Sequence, residues 1–98
     1  MRRSLVIRPE AAAEIREAFD WYEAQSAGLG TVFSDSLGAT LDRIRDSPGQ
    51  YPVVHRKVRR ALLRRFPYGV FYLVDQKRIV VLAVFHGRRD PKQWQNRL

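Results

Sequence analysis

The stretch "YGVFYLVDQKRIVVLAVFH", residues Tyr68–His86, contains two apolar runs separated by a short polar segment. Both runs are rich in β-branched and aromatic side chains, and neither alternates regularly between apolar and polar residues. This pattern is typical of central strands that are covered, at least in part, on both faces. Together with the run "KVRRALLRRF", Lys57–Phe66, the two runs predict an antiparallel meander of three strands. Arg64 and Arg65 would then point to opposite faces of the sheet, because side chains alternate along a strand.

Helical spacing dominates the chain before this meander. The segment "SLVIR", Ser4–Arg8, is typical of a short strand, and Pro9 suits the first position of a helix. Gly28 and the segment Ser47–Gly49 are natural helix ends. Apolar residues recur every three to five positions in two consecutive segments. In the first segment they are Ala11, Ile15, Ala18 and Tyr22, and in the second they are Leu29, Val32 or Phe33, Leu37, Leu41 and Ile44. The apolar residues of the first helix are expected to lie on a different face from the acidic residues Glu10, Glu14 and Glu17.

The predicted order of elements is therefore β-α-α-β-β-β. Because only a couple of residues separate the two helices, they are expected to form an antiparallel hairpin. The sequence predicts one α+β domain, residues 1–98, in which a short N-terminal strand and the helical hairpin pack on a small antiparallel sheet of three or four strands. Asp90 and Pro91 would begin a short C-terminal helix, and Trp94 would anchor this segment to the sheet.

The composition excludes several classes of protein. The chain has no cysteine, which excludes disulfides and thiolate metal sites and suits a reducing cytoplasm. Its longest apolar run, Ile79–Phe85, is much shorter than the ~20 residues that a membrane helix needs, and the N-terminus lacks the apolar core of a signal peptide. Only Asp75 and Asp90 are acidic in the second half, which disfavours a divalent metal. The sequence predicts a cytoplasmic protein without a membrane segment, cofactor or metal.

The charges are distributed unevenly along the chain. Residues 1–50 hold six arginines and eight carboxylates, a net charge of −2, whereas residues 51–98 hold twelve lysines or arginines and two carboxylates, a net charge of +10. A half-domain this positive attracts polyanions, whether these are nucleic acids or acidic protein segments. The charge distribution therefore predicts a negatively charged partner.

Four segments carry a resemblance to a known family. They are "AEIREAFDWYE" in the first helix, "LGTVFSDSLGATLDRIRDSPGQYP" in and after the second, "VRRALLRRFPYGVFYLV" in the meander, and the terminal "VLAVFHGRRDPKQW". Together they resemble the RelE/ParE superfamily, the toxins of bacterial type II toxin–antitoxin systems. The resemblance covers nearly the whole chain, and its most specific parts are "RRFPYGVFY" and "HGRRDPKQW".

The resemblance implies a small toxin that is neutralised by an antitoxin encoded beside it. In this family an acidic or amphipathic C-terminal segment of the antitoxin wraps the toxin. The antitoxins of ParE-like toxins usually also have an N-terminal ribbon-helix-helix part that binds DNA. The superfamily divides by target. ParE-like members inhibit DNA gyrase by binding, whereas RelE-like members cut messenger RNA on the ribosome.

RNA cleavage requires a group that moves a proton and cations that stabilise the charge on phosphorus. His86 is the candidate proton carrier, with Arg65 and Arg88 as the candidate cations. Trp94 stands where a nuclease member commonly has a tyrosine, and an indole N–H cannot act as a base or an acid. The nuclease chemistry is thus incomplete. A chain that did cut RNA would be a metal-independent endoribonuclease.

The ParE-like interpretation is therefore favoured, and it predicts a binding surface rather than a catalytic centre. This surface, expected to contact the target or the antitoxin, comprises Arg59, Arg60, Arg64, Arg65, Arg88 and Arg89. Two alternatives stay open on the sequence alone. One is a ribosome-dependent mRNA endonuclease, and the other is a non-toxic interaction module that binds only its antitoxin or, without sequence preference, nucleic acid.

Overall fold

The computed structural model describes residues 3–98, and Met1 and Arg2 lie outside the described residues. The elements in chain order are β1 (Ser4–Ile7), α1 (Pro9–Gln25), α2 (Leu29–Asp46), a 3₁₀ helix (Pro48–Gln50), β2 (Val53–His55), β3 (Val58–Leu62), β4 (Tyr68–Val74), β5 (Arg78–His86) and α3 (Lys92–Gln95).

The strands form one sheet in the order β1-β5-β4-β3-β2. Strands β2 to β5 are antiparallel neighbours, and β1 joins the far edge parallel to β5. The predicted α+β fold, a strand and a helical hairpin packed on a mostly antiparallel sheet, is confirmed. The sheet has five strands rather than three or four, because Val53–His55 adds a short strand at one edge and β1 joins at the other.

The sheet buries apolar side chains on both faces, as its two apolar runs predicted. On one face, residues of α1 and α2 such as Phe33 and Ile44 pack against Val70 and Tyr72 of β4. On the opposite face, a smaller cluster consists of Val58, Phe71, Leu82, Ala83, Phe85 and Trp94. We call the face that carries α1 and α2 the helix face and the other the open face. Among residues 3–98, only the short helix α3 covers the open face, and it covers that face in part.

The close packing of α1 on α2 depends on Gly30. A Cβ atom at this position would lie 2.9 Å from the carbonyl oxygen of Phe19, a backbone atom that cannot move aside. Glu23 of α1 accepts hydrogen bonds from the backbone N–H groups of Gly28 (2.9 Å) and Gly30 (3.0 Å), so a side chain of one helix caps the next. Gly28 itself has a φ of 90°, which fits its predicted place between the helices.

A β-bulge in β5 reverses which side chains face the helices. Phe71 pairs with Ala83 and Tyr72 with Val81, so Leu82 has no partner in β4. Val81 before the bulge belongs to the helix-face cluster. Leu82 and Ala83, which are consecutive, both belong to the open-face cluster. The alternation after the bulge is therefore the opposite of the alternation before it.

The bulge decides the position of His86 at the end of β5. Val84, two residues earlier, packs on the helix face, and alternation places His86 on the same face. There its ring lies edge-on to Tyr68, with ring centroids 5.3 Å apart. An unbroken alternation from Val81 would have placed His86 on the open face.

The prediction that Arg64 and Arg65 lie in a strand and point to opposite faces is wrong. Strand β3 ends at Leu62, and both arginines lie in the turn that leads to β4. Pro67, close behind them, has no N–H to donate to a strand ladder, which favours a turn. Arg65 has a φ of 72°, in the left-handed region that strands do not use.

The expectation that Glu14 lies on a different face of α1 from the apolar residues is also wrong, because its side chain is buried, with 7% exposure, on the same side as Ala11 and Ala18. Strand β1 pairs with β5 only as far as Val81, which leaves the next part of the β5 edge without a neighbouring strand. Glu14 accepts a hydrogen bond from the N–H of Val84 there (3.0 Å). Arg97 donates to the carbonyl oxygen of Leu82 (3.0 Å) and pairs with Glu14 (2.6 Å).

This ion pair closes the open edge of β5 and fastens the C-terminal segment to α1. The hydrogen bonds and charge of Glu14 raise the pKa of the Arg97 guanidinium above its ordinary value. Arg8 adds a further contact, donating to the carbonyl oxygen of Arg97 (3.0 Å). The first and last segments of the described chain are thus held together by charged side chains.

Tyr72 ties β4 to the segment after α2. Its side chain is fully buried, and its hydroxyl donates to the carbonyl oxygen of Pro48 (2.6 Å). Burial raises the pKa of this phenol from 10.0 to about 12. The folded protein therefore binds the phenolic proton more tightly than the unfolded chain. The resulting stabilisation is complete below pH 10 and is lost as the pH rises to about 12.

We expect Tyr72→Phe to lower the free energy of unfolding by about 1 kcal/mol at neutral pH, because it removes the hydrogen bond to Pro48. The unsubstituted protein should lose up to about 1.4 kcal/mol per pH unit from Tyr72 alone above pH 10, and the variant should lack this contribution. Urea unfolding at a series of alkaline pH values measures both effects. Parallel curves for the two proteins between pH 10 and about pH 12 would contradict this account of Tyr72.

Candidate partner-binding groove on the open face

A groove of about 470 Å³ runs along the open face and around the end of the sheet to the turn between β3 and β4. Its floor and walls are mainly apolar, and they include Val54, Leu62, Phe71, Phe85 and Trp94. Leu62 is 61% exposed, although it is a large apolar side chain. An apolar groove with such a residue at its edge is a feature of sites that bind another protein. We call it the open-face groove.

Arg60 places a positively charged guanidinium group in this groove, and this group forms no ion pair with a described residue. Its Nε is buried and lacks a hydrogen-bond partner within residues 3–98. A buried donor left without a partner costs about 1–3 kcal/mol, so an acceptor from a bound molecule would recover that free energy. Gly69 makes room for this side chain, since a Cβ there would lie 3.2 Å from Cγ of Arg60.

The C-terminal segment forms one wall of the groove. Trp94 is buried and stacks on Phe71, with centroids 4.5 Å apart and planes at 25°, so its predicted role as an anchor is confirmed. Its ring also lies edge-on to His55 (5.7 Å). The predicted cap is present as well, because Asp90 accepts a hydrogen bond from the N–H of Lys92 (3.0 Å) at the start of α3. The wall is therefore held in place by packing and by a helix cap.

Two of the six arginines predicted to form the binding surface are used inside the protein. Arg59 donates to the carbonyl oxygens of Gly49 (3.2 Å) and Tyr51 (2.6 Å) on the helix side of β3. Arg89 lies over the ring of Phe85 (4.2 Å), although it still lines the open-face groove. Both side chains therefore stabilise the fold.

The other four arginines have guanidinium groups without an ion pair or hydrogen bond to any of residues 3–98. They do not form one surface. Arg60 lies in the open-face groove, and Arg88 is exposed beyond the end of β5. Arg64 and Arg65 line a second cleft, of about 400 Å³, between α2 and the turn from β3 to β4. We call this second cleft the α2 cleft. The structure thus separates two basic sites.

The three candidate nuclease residues do not line a common cleft. His86 lines the part of the open-face groove that runs around the end of the sheet, whereas Arg65 lines the α2 cleft and Arg88 lines neither. Nδ1 of His86 accepts a hydrogen bond from the backbone N–H of Arg88 (3.0 Å), which leaves only Nε2 for other contacts. Burial raises the pKa of the neighbouring Tyr68, which keeps its phenol neutral.

Several residues of the groove were not singled out from the sequence. Leu62, Phe71 and Phe85 have the composition of ordinary strand residues, and only the position of the sheet edge and of α3 shows that they border a groove. Arg60 was predicted as part of the basic surface, but its unsatisfied Nε depends on the packing around Gly69. The one signal available in the sequence was the apolar character of both faces of β4 and β5.

Residues 3–98 contain neither a cluster of metal ligands nor a helix that could span a membrane. No group of three or more histidine, aspartate or glutamate side chains among residues 3–98 is arranged to hold a metal ion. None of the helices formed by these residues is long and apolar enough to cross a membrane.

The protein is thus a small α+β domain whose open face carries a mainly apolar groove bordered by arginines. A family model described as "ParE toxin of type II toxin-antitoxin system, parDE" matches residues 5–91. Two curated relatives, both named Toxin ParE2, come from Mycobacterium tuberculosis strains CDC 1551 / Oshkosh and ATCC 25618 / H37Rv. Each is 28% identical to this chain over 92 residues, which cover 93% of this chain and 88% of the relative.

A solved structure shares the fold. A chain of the structure titled "Chromosomal ParDE TA system from P. aeruginosa" matches with a TM-score of 0.77 and 20% identity, over 87% of this chain and 96% of that chain. The chain described here belongs to the ParE family of toxins from type II toxin–antitoxin systems. The ParE-like resemblance seen in the sequence is thereby confirmed, and membership of this family implies an antitoxin partner.

Proposed function

We propose that this ParE-family toxin acts in the cytoplasm by binding DNA gyrase, and that a cognate antitoxin neutralises it by occupying the open-face groove. The observation that carries the proposal is the groove itself, which is mainly apolar and holds the unsatisfied Nε of Arg60. Such a groove suits a partner segment that supplies apolar side chains and at least one carboxylate. An antitoxin with an acidic or amphipathic C-terminal segment, attached to a ribbon-helix-helix DNA-binding part, has this chemistry.

The geometry of the candidate nuclease residues supports inhibition by binding. A base and the cations that stabilise a transition state must converge on one reacting group. His86 and Arg65 line different clefts, and the only tryptophan near the C-terminus is buried against Phe71. A toxin that only binds needs no such convergence. It needs an exposed surface, which the chain has.

The test is a supercoiling assay with purified gyrase, in which the toxin is titrated against the enzyme. We expect supercoiling to fall as toxin is added and to recover when the antitoxin is added. His86→Ala is the matched variant, because it removes the only candidate proton carrier and leaves the groove floor intact. It should inhibit gyrase as strongly as the unsubstituted toxin.

The alternative makes opposite predictions for the same two proteins. If gyrase keeps its activity at every ratio of toxin to enzyme, and if messages in growing cells are cut in phase with codons, the proposed target is wrong. Loss of toxicity in His86→Ala, with antitoxin binding unchanged, would then identify a ribosome-dependent endonuclease. Mapping of new RNA 5′ ends soon after induction measures the cuts.

A further inference from the structure

The α2 cleft has a chemistry different from that of the open-face groove, and the two share no lining residue. Three arginines line it, Arg43, Arg64 and Arg65, together with the carboxylate of Asp35 and the small side chains of Ser36 and Ala39. Val32 is its only larger apolar lining residue. The cleft therefore offers a protein segment no aromatic side chain and little apolar surface to pack against.

The arginines of the α2 cleft are held in position by the backbone around them. The hydroxyl of Ser36 in α2 donates to the carbonyl oxygen of Arg64 (2.7 Å), which fixes the turn against the helix. Arg43 donates to the hydroxyl of Thr40 (3.1 Å) and so lies along α2. Arg65 adopts a φ of 72°, a conformation that costs a non-glycine residue about 1 kcal/mol or more and persists only where the surroundings determine it.

The charges of this cleft are available to a ligand. Arg64 and Arg65 are exposed, and neither guanidinium contacts a carboxylate or an acceptor of the described chain. With Asp35 included, the lining residues carry a net charge of +2. Two neighbouring phosphodiester groups carry one negative charge each, and guanidinium groups bind phosphate oxygens through paired hydrogen bonds.

We propose that the α2 cleft binds the phosphodiester backbone of nucleic acid. Binding of this kind depends on cationic hydrogen-bond donors and does not require apolar contacts. The α2 cleft supplies such donors. Because its lining residues are separate from those of the open-face groove, a backbone and a protein segment can be bound at the same time. Such binding would use residues of this chain alone and would not require gyrase to be the target.

The test measures the affinity of the purified full chain for a fluorescently labelled DNA duplex, by anisotropy, over a range of salt concentrations. The test variant is Arg64→Gln with Arg65→Asn, because asparagine accepts a left-handed backbone better than most other non-glycine residues. The matched control is Arg56→Asn with Lys57→Gln in the turn from β2 to β3. Arg56 also has a positive φ, 52°, and both residues are exposed, so the control loses the same charge from a similar turn.

We expect the test variant to bind about a hundredfold more weakly at low salt, which corresponds to about tenfold for each lost phosphate contact. The slope of log affinity against log salt should fall by about 2 for the pair. The control should keep the slope of the unsubstituted protein. Equal weakening in both variants, or no binding by the unsubstituted protein, would overturn the proposal. Circular dichroism melting curves show whether both variants are folded.

A second titration, with an RNA duplex of the same sequence, shows whether the α2 cleft distinguishes the backbone of RNA from that of DNA. Equal affinity for the two duplexes supports a site that reads phosphates alone, and a preference for one identifies the nucleic acid. Neither result depends on the supercoiling assay. A toxin that fails to inhibit gyrase but binds DNA through Arg64 and Arg65 would refute the proposed target and leave this inference standing.

Discussion

Glu14→Ala is expected to lower the free energy of unfolding by about 3–5 kcal/mol, the largest effect on stability among the predictions made for this protein. The substitution leaves the guanidinium of Arg97 largely buried without its carboxylate, and it leaves the N–H of Val84 without an acceptor. A second guanidinium, that of Arg89, lies 3.9 Å from the same carboxylate and would lose its partner as well.

Urea unfolding measures this effect, with Glu17→Ala as the matched control. Glu17 lies on the same helix and is exposed, so its replacement should change the free energy of unfolding by less than about 0.5 kcal/mol. A double variant, Glu14→Leu with Arg97→Met, should recover part of the lost stability, because it removes both charges together but leaves the N–H of Val84 without its acceptor. If Glu14→Ala and Glu17→Ala were equally stable, the ion pair would have no role in holding the C-terminal segment.

Arg60→Glu is expected to weaken binding of the cognate antitoxin by about a hundredfold or more. The substitution places a carboxylate in the groove that is proposed to receive an acidic segment, and like charges brought together in an interface cost several kcal/mol. About 2.7 kcal/mol corresponds to a hundredfold change in affinity. Titration calorimetry of the purified toxin with its antitoxin gives this value directly.

Lys77→Glu is the matched control for this prediction. It changes the net charge by the same amount, and Lys77 is exposed in the turn between β4 and β5, outside the lining of the open-face groove. The control should reduce the affinity only slightly, through long-range electrostatics that salt screens. Equal effects of the two substitutions would show that the antitoxin responds to total charge and does not occupy the groove.

The sequence was sufficient for those parts of the fold that depend on periodicity. The two apolar runs identified β4 and β5 as central strands, and the spacing of Ala11, Ala18 and Phe33 located the helical hairpin. Proline and glycine marked the ends of helices for reasons of backbone geometry alone. These signals are local, and local signals are what a single sequence carries.

The parts that could not be predicted depend on contacts between distant residues. A glutamate one turn from Glu10 and Glu17 appears exposed until Arg97, 83 positions away, is placed against it. The bulge at Leu82 has no signature within the run "IVVLAVF", because every residue there is apolar. The bulge nevertheless decides on which face His86 lies, and it could be found only from the pairing of β5 with β4.

The separation of the six arginines into different sites could not be predicted for the same reason, because it depends on contacts between distant residues. Six arginines in the basic half were grouped by charge, and charge alone does not distinguish Arg59, which bonds to carbonyl oxygens, from Arg60, which has no partner. The two are neighbours in β3, but alternation places them on opposite faces of the sheet. The candidate binding surface therefore separated into two clefts that the sequence had merged.

The parallel pairing of β1 with β5 also has a consequence for how the protein is made. A ribosome releases Ser4–Ile7 well before the strand that must pair with it, Arg78–His86, because both helices and three strands of the chain come between them. Until then β1 has no neighbour, the sheet lacks a central strand, and Arg97 cannot reach Glu14. A nascent chain of this toxin consequently carries neither a finished sheet nor a finished groove until β5 and Arg97 have left the ribosome, and its capacity to bind begins only then.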